Sequence, residues 1–133
     1  MAKQPKDITI LIIDDEKINR TLLHQTVLSC NCTVQVVAVD NACEALFHYF
    51  TGHFDLVFLD IMMPEIDGND FLTIIEKNIA AGNLIHPSDI VVQTAIQSIE
   101  ELSALTNREC VQEVMRKPLA PSRIKECVER YCL

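Results

Sequence analysis

Five residues carry side chains that could do chemistry together: Asp14, Asp15, Asp60, Thr94 and Lys117. Three are carboxylates, one is a hydroxyl and one an ammonium. Three carboxylates gathered at one place repel, which raises the pKa of at least one of them. A bound divalent cation removes that conflict. Mg²⁺ fits such a set, because it takes oxygen ligands, keeps several waters and leaves room for a phosphoryl oxygen. A carboxylate can also act as the nucleophile and become an aspartyl phosphate. Such a transfer needs mainly positioning and charge neutralisation, and a nearby lysine supplies part of both.

Each residue also has a plainer reading. Asp14 or Asp15 could cap the first helix. Asp60 could be a turn residue, Thr94 an ordinary strand residue and Lys117 a solvated surface lysine. The chemical reading therefore depends on the elements that bring the five together.

Those elements follow from periodicity. Apolar or β-branched runs at residues 8–13, 33–39, 54–59, 90–95 and 110–115 read as strands. Between them lie helical stripes: Ile18, Leu22, Leu23 and Val27; Ala42, Ala45, Leu46, Tyr49 and Phe50; Phe71, Leu72, Ile75 and Ile79; and a weak one, Ile99, Leu102 and Leu105. A last stripe, Ile124, Cys127, Val128 and Tyr131, follows Pro121, which suits a first helical turn. Asn41 with Glu44, and Ser98 with Glu101, resemble capping boxes, and Gly52 suits a helix stop. Asp67-Gly68 reads as a turn in which Gly68 can take positive φ. GNLIHPSD, residues 82–89, reads as a loop. Strand and helix alternating five times predict an α/β fold, a parallel sheet covered on both faces. Right-handed crossovers bring every strand's carboxyl end to one edge, where ligands bind in such sheets. Asp14, Asp15, Asp60, Thr94 and Lys117 all lie at or just beyond those ends.

The 133 residues suit one domain, 1–133, with its core at about 8–131 and no output domain in the chain, whether it stands alone or is part of a longer regulator or hybrid kinase. A formal charge of −8 argues against nucleic acid or anionic membranes as partners. The absence of a long apolar stretch or secretory leader makes the cytoplasm the expected location. In that compartment the six cysteines are expected to be reduced, with Cys43, Cys110 and Cys127 as small core residues. Cys30 and Cys32 form a C-x-C, but no second close pair completes a zinc site.

The arrangement resembles the receiver domain of two-component response regulators. The matching residues are Asp14-Asp15, LDIMMPEIDG at 59–68, Gln93-Thr94-Ala95 and Lys117-Pro118, and the resemblance runs from about Ile8 to Tyr131. It implies a doubly wound, flavodoxin-like (βα)5 sheet in strand order 2-1-3-4-5 and a cis Lys117–Pro118 bond. It implies that Asp60 is the phosphoacceptor and that Asp14, Asp15, Asp60 and the backbone carbonyl of Met62 hold Mg²⁺. Lys117 would pair with the phosphoryl group, and Thr94 would be the switch hydroxyl. The donor would be a sensor histidine kinase or a histidine phosphotransfer protein, docking near Ile18, Asn19 and Leu22. An output protein or attached domain would read helix 4, strand 5 and helix 5. Such a domain is a switch rather than an enzyme, catalysing only its own phosphorylation and dephosphorylation. In one respect the chain departs from the family. The position three before the lysine, often aromatic, is Val114.

Two other readings fit the residues less well. A Mg²⁺-dependent phosphohydrolase with an aspartyl nucleophile typically carries a second acid two residues on, where this chain has Met62. A degenerate receiver acting only as an interaction domain fits poorly with the complete set of five residues.

Overall fold

The computed structural model describes residues 7–83 and 87–132. Its elements alternate as expected: β1 (Ile8–Ile13), α1 (Lys17–Leu28), β2 (Val34–Val39), α2 (Ala42–Thr51), β3 (Leu56–Asp60), α3 (Gly68–Ala80), β4 (Asp89–Thr94), α4 (Ile99–Thr106), β5 (Val111–Arg116) and α5 (Pro121–Glu129). The five strands form one parallel sheet in the order β2-β1-β3-β4-β5. Residues 84–86 of the expected loop lie outside the described residues.

Two apolar layers cover the sheet. On one face, Ile8, Ile10, Ile12, Leu56, Phe58, Val91 and Met115 pack with Leu23 and Val27 of α1 and Ile124, Cys127 and Val128 of α5. On the other, Leu11, Ile13, Val57, Leu59, Ile90 and Val92 pack with α2, α3 and Leu105 of α4. Leu56, Val57, Phe58 and Leu59 are all within 1 % of full burial. At roughly 1.5–3 kcal/mol per large apolar side chain, they make β3 a stiff mount for the residue at its end.

That residue is Asp60 itself. The apolar run predicts a strand ending at Leu59, but the ladder continues to Asp60, which lies opposite Gln93 of β4. Phe54 falls outside the strand and still packs in the core. The α5 helix ends at Glu129, before Tyr131, whose hydroxyl donates to Asp89 of β4.

The caps mostly follow the sequence. Asn41 and Ser98 each accept the backbone N–H three residues on, from Glu44 and Glu101. Asp67 is an N-cap in a reciprocal capping box with Asp70, rather than a plain turn residue. Beyond α4, Arg108 donates to Glu76, Asn69 and Thr73, tying that end of α4 to α3.

Two expectations are corrected. Gly68 does not have positive φ; the left-handed residue of the β3–α3 loop is Glu65, at φ 65°. Gly68 is needed for room, since a Cβ there would lie 2.6 Å from Ile61 Cα and 2.7 Å from the Asp60 carbonyl oxygen. Nor are all six cysteines free, or those expected in the core all buried: Cys43 is exposed, and Cys32 and Cys132 form a disulfide. Because α1 and α5 pack on the same face of the sheet, the segments following them meet, with these two Cα atoms 5.7 Å apart. This also leaves Cys32 unable to serve a C-x-C metal site.

Replacing Gly68 by Ala is expected to destabilise the fold by about 1–3 kcal/mol, the usual cost of overpacking against backbone. Urea unfolding of the two proteins measures this. Equal stability would mean that the β3–α3 loop can retreat from a methyl group.

Candidate functional site

The carboxyl edge of the sheet brings Asp14, Asp15, Asp60 and Lys117 together and places Thr94 beside them at the end of β4, on the other face. Ile13 of β1 lies opposite Leu59 of β3, so Asp14 emerges level with Asp60. Asp14 and Asp60 continue the face occupied by Ile8, Ile10 and Ile12 and by Leu56 and Phe58. Thr94 continues the opposite face after Ile90 and Val92. Lys117 follows β5, and its backbone N–H donates to the Thr94 carbonyl at 2.8 Å. The Lys117–Pro118 peptide is cis, as the resemblance implies.

Three of these side chains are held by their own loops in the same way. Asp14 Oδ1 accepts the N–H of Glu16 at 2.8 Å, Asp60 Oδ1 that of Met62 at 3.2 Å, and Thr94 Oγ1 that of Ile96 at 3.0 Å. In each case the partner is two residues on, which is an Asx- or ST-turn geometry. The turn reading of Asp60 is therefore correct as far as it goes, and one of its oxygens is committed to the turn. The N-cap of α1 is Glu16 rather than Asp14 or Asp15, and its side chain makes no cap hydrogen bond.

Asp14, Asp15 and Asp60 each offer a carboxylate oxygen, and these atoms lie within 4.8 Å of one another. Asp14 and Asp60 are buried, at 0 % and 2 % exposure, while Asp15 is open to solvent. Lys117 Nζ lies 3.3 Å from Asp14 Oδ2, 3.4 Å from Asp60 Oδ2 and 3.9 Å from Glu16 Oε1. One ammonium thus faces more negative charge than it can neutralise.

The imbalance shows in the titration of both partners. Asp60 is pushed up from 3.8 to about 7, chiefly by burial and further by the Asp14 charge and a hydrogen bond with Asp15; Lys117 and the Met62 N–H act in the opposite direction. Burial opposes the charge on Lys117, yet Asp60 and Asp14 more than offset it, so its pKa rises. The set fits a divalent cation: oxygen donors from three carboxylates, two of them buried, with one side open to water.

Some contributors were not apparent from the sequence. Arg20 of α1 donates to the Asp14 carbonyl at 2.9 Å. Gln93, noted only as part of a motif, is fully buried and donates from Nε2 to Asp14 Oδ2 at 3.2 Å. A polar residue inside an apolar strand was the available signal. Val114, at the position often aromatic in the family, is half-buried and packs against the core layer that includes Leu105 of α4.

The raised pKa of Asp60 has a consequence for stability. Between pH 4 and 7 the folded state holds a proton at Asp60 that the unfolded chain has released, so stability falls as pH rises through this window. In chelator-treated protein, Asp60→Asn is therefore expected to raise the melting temperature at pH 8, with the gain shrinking towards pH 4. Calorimetry across that range measures it, and a gain that grew on acidification would contradict the assignment.

Known proteins place this geometry in a family. The family model for the response regulator receiver domain matches residues 10–129. Hybrid signal transduction histidine kinase L of Dictyostelium discoideum is 25 % identical over 123 residues, covering 92 % of this chain but 7 % of the kinase. The chemotaxis protein CheY of Listeria monocytogenes is 27 % identical over 124 residues, covering 92 % of this chain and 97 % of that protein. Among solved structures, a signal receiver domain from Vibrio parahaemolyticus superposes with a TM-score of 0.81 at 21 % identity, over 95 % of this chain and 90 % of that one. The chain thus spans nearly all of the chemotaxis protein and a small part of the hybrid kinase. With the strand order and the acidic edge already in place, the match establishes that the chain belongs to the response regulator receiver domain family.

Proposed function

We propose that this chain is a single receiver domain, residues 1–133, that accepts a phosphoryl group on Asp60 and thereby changes its affinity for a partner. The observation that carries this reading is the buried contact of Asp60 with Lys117 beside Asp14 and Asp15, at the carboxyl edge of a receiver fold. Asp60 Oδ2 attacks the phosphorus of a phosphohistidine; the new P–O bond forms as the P–N bond breaks, and the imidazole leaves. Mg²⁺ bound by Asp14, Asp15, Asp60 and the Met62 carbonyl would neutralise the crowded carboxylates and the transferring group. Lys117 then pairs with the phosphoryl oxygens, exchanging carboxylate contacts for phosphate ones.

Thr94 reports the change. Its hydroxyl is committed to the Ile96 N–H, and turning towards the phosphoryl group exchanges that contact for a charge-assisted one. Such a bond contributes roughly 1.5–3 kcal/mol, whereas a 1:99 to 99:1 shift takes about 5.5 kcal/mol. The Lys117 pairing, or a partner that prefers the phosphorylated form, supplies the remainder.

The surface supports a protein donor and a protein partner. Ile18, Leu22 and Met62 are exposed large apolar side chains on the segments that follow Asp14 and Asp60, a surface suited to a histidine kinase or a histidine phosphotransfer protein. On the α4–β5 side, a groove of about 320 Å³ is lined by Ile99, Leu102, Ser103, Thr106, Asn107 and Arg116. That groove, with α5, is the proposed output surface. No helix among the described residues is long and apolar enough to cross a membrane, and a cytoplasmic location suits a phosphoryl switch.

Incubation with Mg²⁺ and acetyl phosphate, followed by intact mass, tests the assignment. The wild type is expected to gain one phosphoryl group and Asp60→Asn none. No gain by the wild type, or an equal gain by the variant, would overturn it.

A further inference from the structure

Gln93 is out of place in its strand. Its neighbours Ile90, Val91 and Val92 are fully buried and apolar, and Gln93 is equally buried. Burying an amide costs free energy unless its hydrogen bonds are made. Here only half of the amide is satisfied: Nε2 donates to Asp14 Oδ2, and the buried Oε1 has no partner among the described residues. Lys117 donates to the same Asp14 oxygen at 3.3 Å. That oxygen is therefore the acceptor, so the amide presents its NH₂ to Asp14 and leaves its carbonyl free.

Register explains the placement. Gln93 lies opposite Asp60 on one side and Met115 on the other, on the sheet face that Asp14 and Asp60 share. An apolar residue of similar length would fill this space without an orphan acceptor. A buried acceptor beside an acidic cluster has a use when a donor arrives, and the waters that Mg²⁺ retains are such donors. The shared Asp14 oxygen has a second use. When Lys117 turns to a phosphoryl group, Gln93 keeps that buried oxygen hydrogen-bonded, so the lysine can leave without stranding it.

Resting on the reading of the acidic edge as a Mg²⁺ site, we propose that Gln93 is a positioning residue for that site. Its NH₂ fixes Asp14, and its carbonyl accepts a hydrogen bond from a water of the bound cation. It acts through Asp14 and the hydration shell, not on the phosphoryl group.

Calorimetric titration of the unphosphorylated chain with Mg²⁺ tests this with Gln93→Met, which keeps the length of the side chain and removes both polar atoms. Roughly tenfold weaker binding is expected, in the range found when a ligand's supporting hydrogen bond is lost. In chelator the variant should melt no lower than the wild type, because the orphan acceptor leaves with its donor. A purely structural glutamine would give the reverse: a lower melting temperature and unchanged affinity. Wild-type protein that binds no Mg²⁺ would remove the metal site and this role together; equal affinities would remove the role alone. Should the variant fail to fold, the side-chain NH₂ resonances of Gln93 in the wild type decide. They are expected to move on Mg²⁺ addition along the calorimetric binding curve, and resonances that stay fixed would overturn the proposal.

Discussion

Carboxylate crowding at one sheet edge is the constraint on which the rest of the structure depends. Asp14, Asp15 and Asp60 bring oxygens within 4.8 Å of one another, two of the three residues being buried. Water would screen such a cluster on an open surface. Here the sheet excludes water from Asp14 and Asp60, and among the described residues Lys117 is the one cation that reaches both. Burial, with the Asp14 charge that Lys117 only partly offsets, pushes Asp60 up to about 7. A site in this condition responds strongly to any added cation and to any change in the charge on Asp60.

The fold holds that cluster against its own repulsion. The central strands β1, β3 and β4 are covered on both faces, and their ends cannot move apart without opening two apolar layers. The loops then hold the side chains individually. Asp14, Asp60 and Thr94 each accept an N–H from two residues on. Gly68 lets α3 start hard against the Asp60 carbonyl. Stability is what the arrangement gives up at Asp60: the burial and crowding that raise its pKa cost folding energy near neutral pH.

Much of this was legible in the sequence, for physical reasons. Buried parallel strands read as apolar runs, and the residues after them at Asp14, Asp60 and Lys117 interrupt those runs abruptly. Three carboxylates at one edge already implied a raised pKa; Asp60 is raised, by burial first and by the Asp14 charge second among the raising effects. What periodicity could not give was the face. Where both faces of a strand are apolar, alternation disappears, so the sequence did not show that Asp14, Asp60 and Gln93 share one face and Thr94 the other. Gln93 acquires meaning only through its register with Asp60. The Cys32–Cys132 bond depends on two segments 100 residues apart meeting beyond α1 and α5. Gly68 was legible as a special position, but for conformational freedom rather than for the room it provides.

The most direct measurement of the central claim is the titration of the Asp60 carboxyl carbon by NMR, with and without Mg²⁺. Burial beside the crowded carboxylates predicts a midpoint near 7 in metal-free protein and a fall towards the ordinary carboxylate range when Mg²⁺ is added. An ordinary midpoint without metal, or one that Mg²⁺ leaves unmoved, would contradict it.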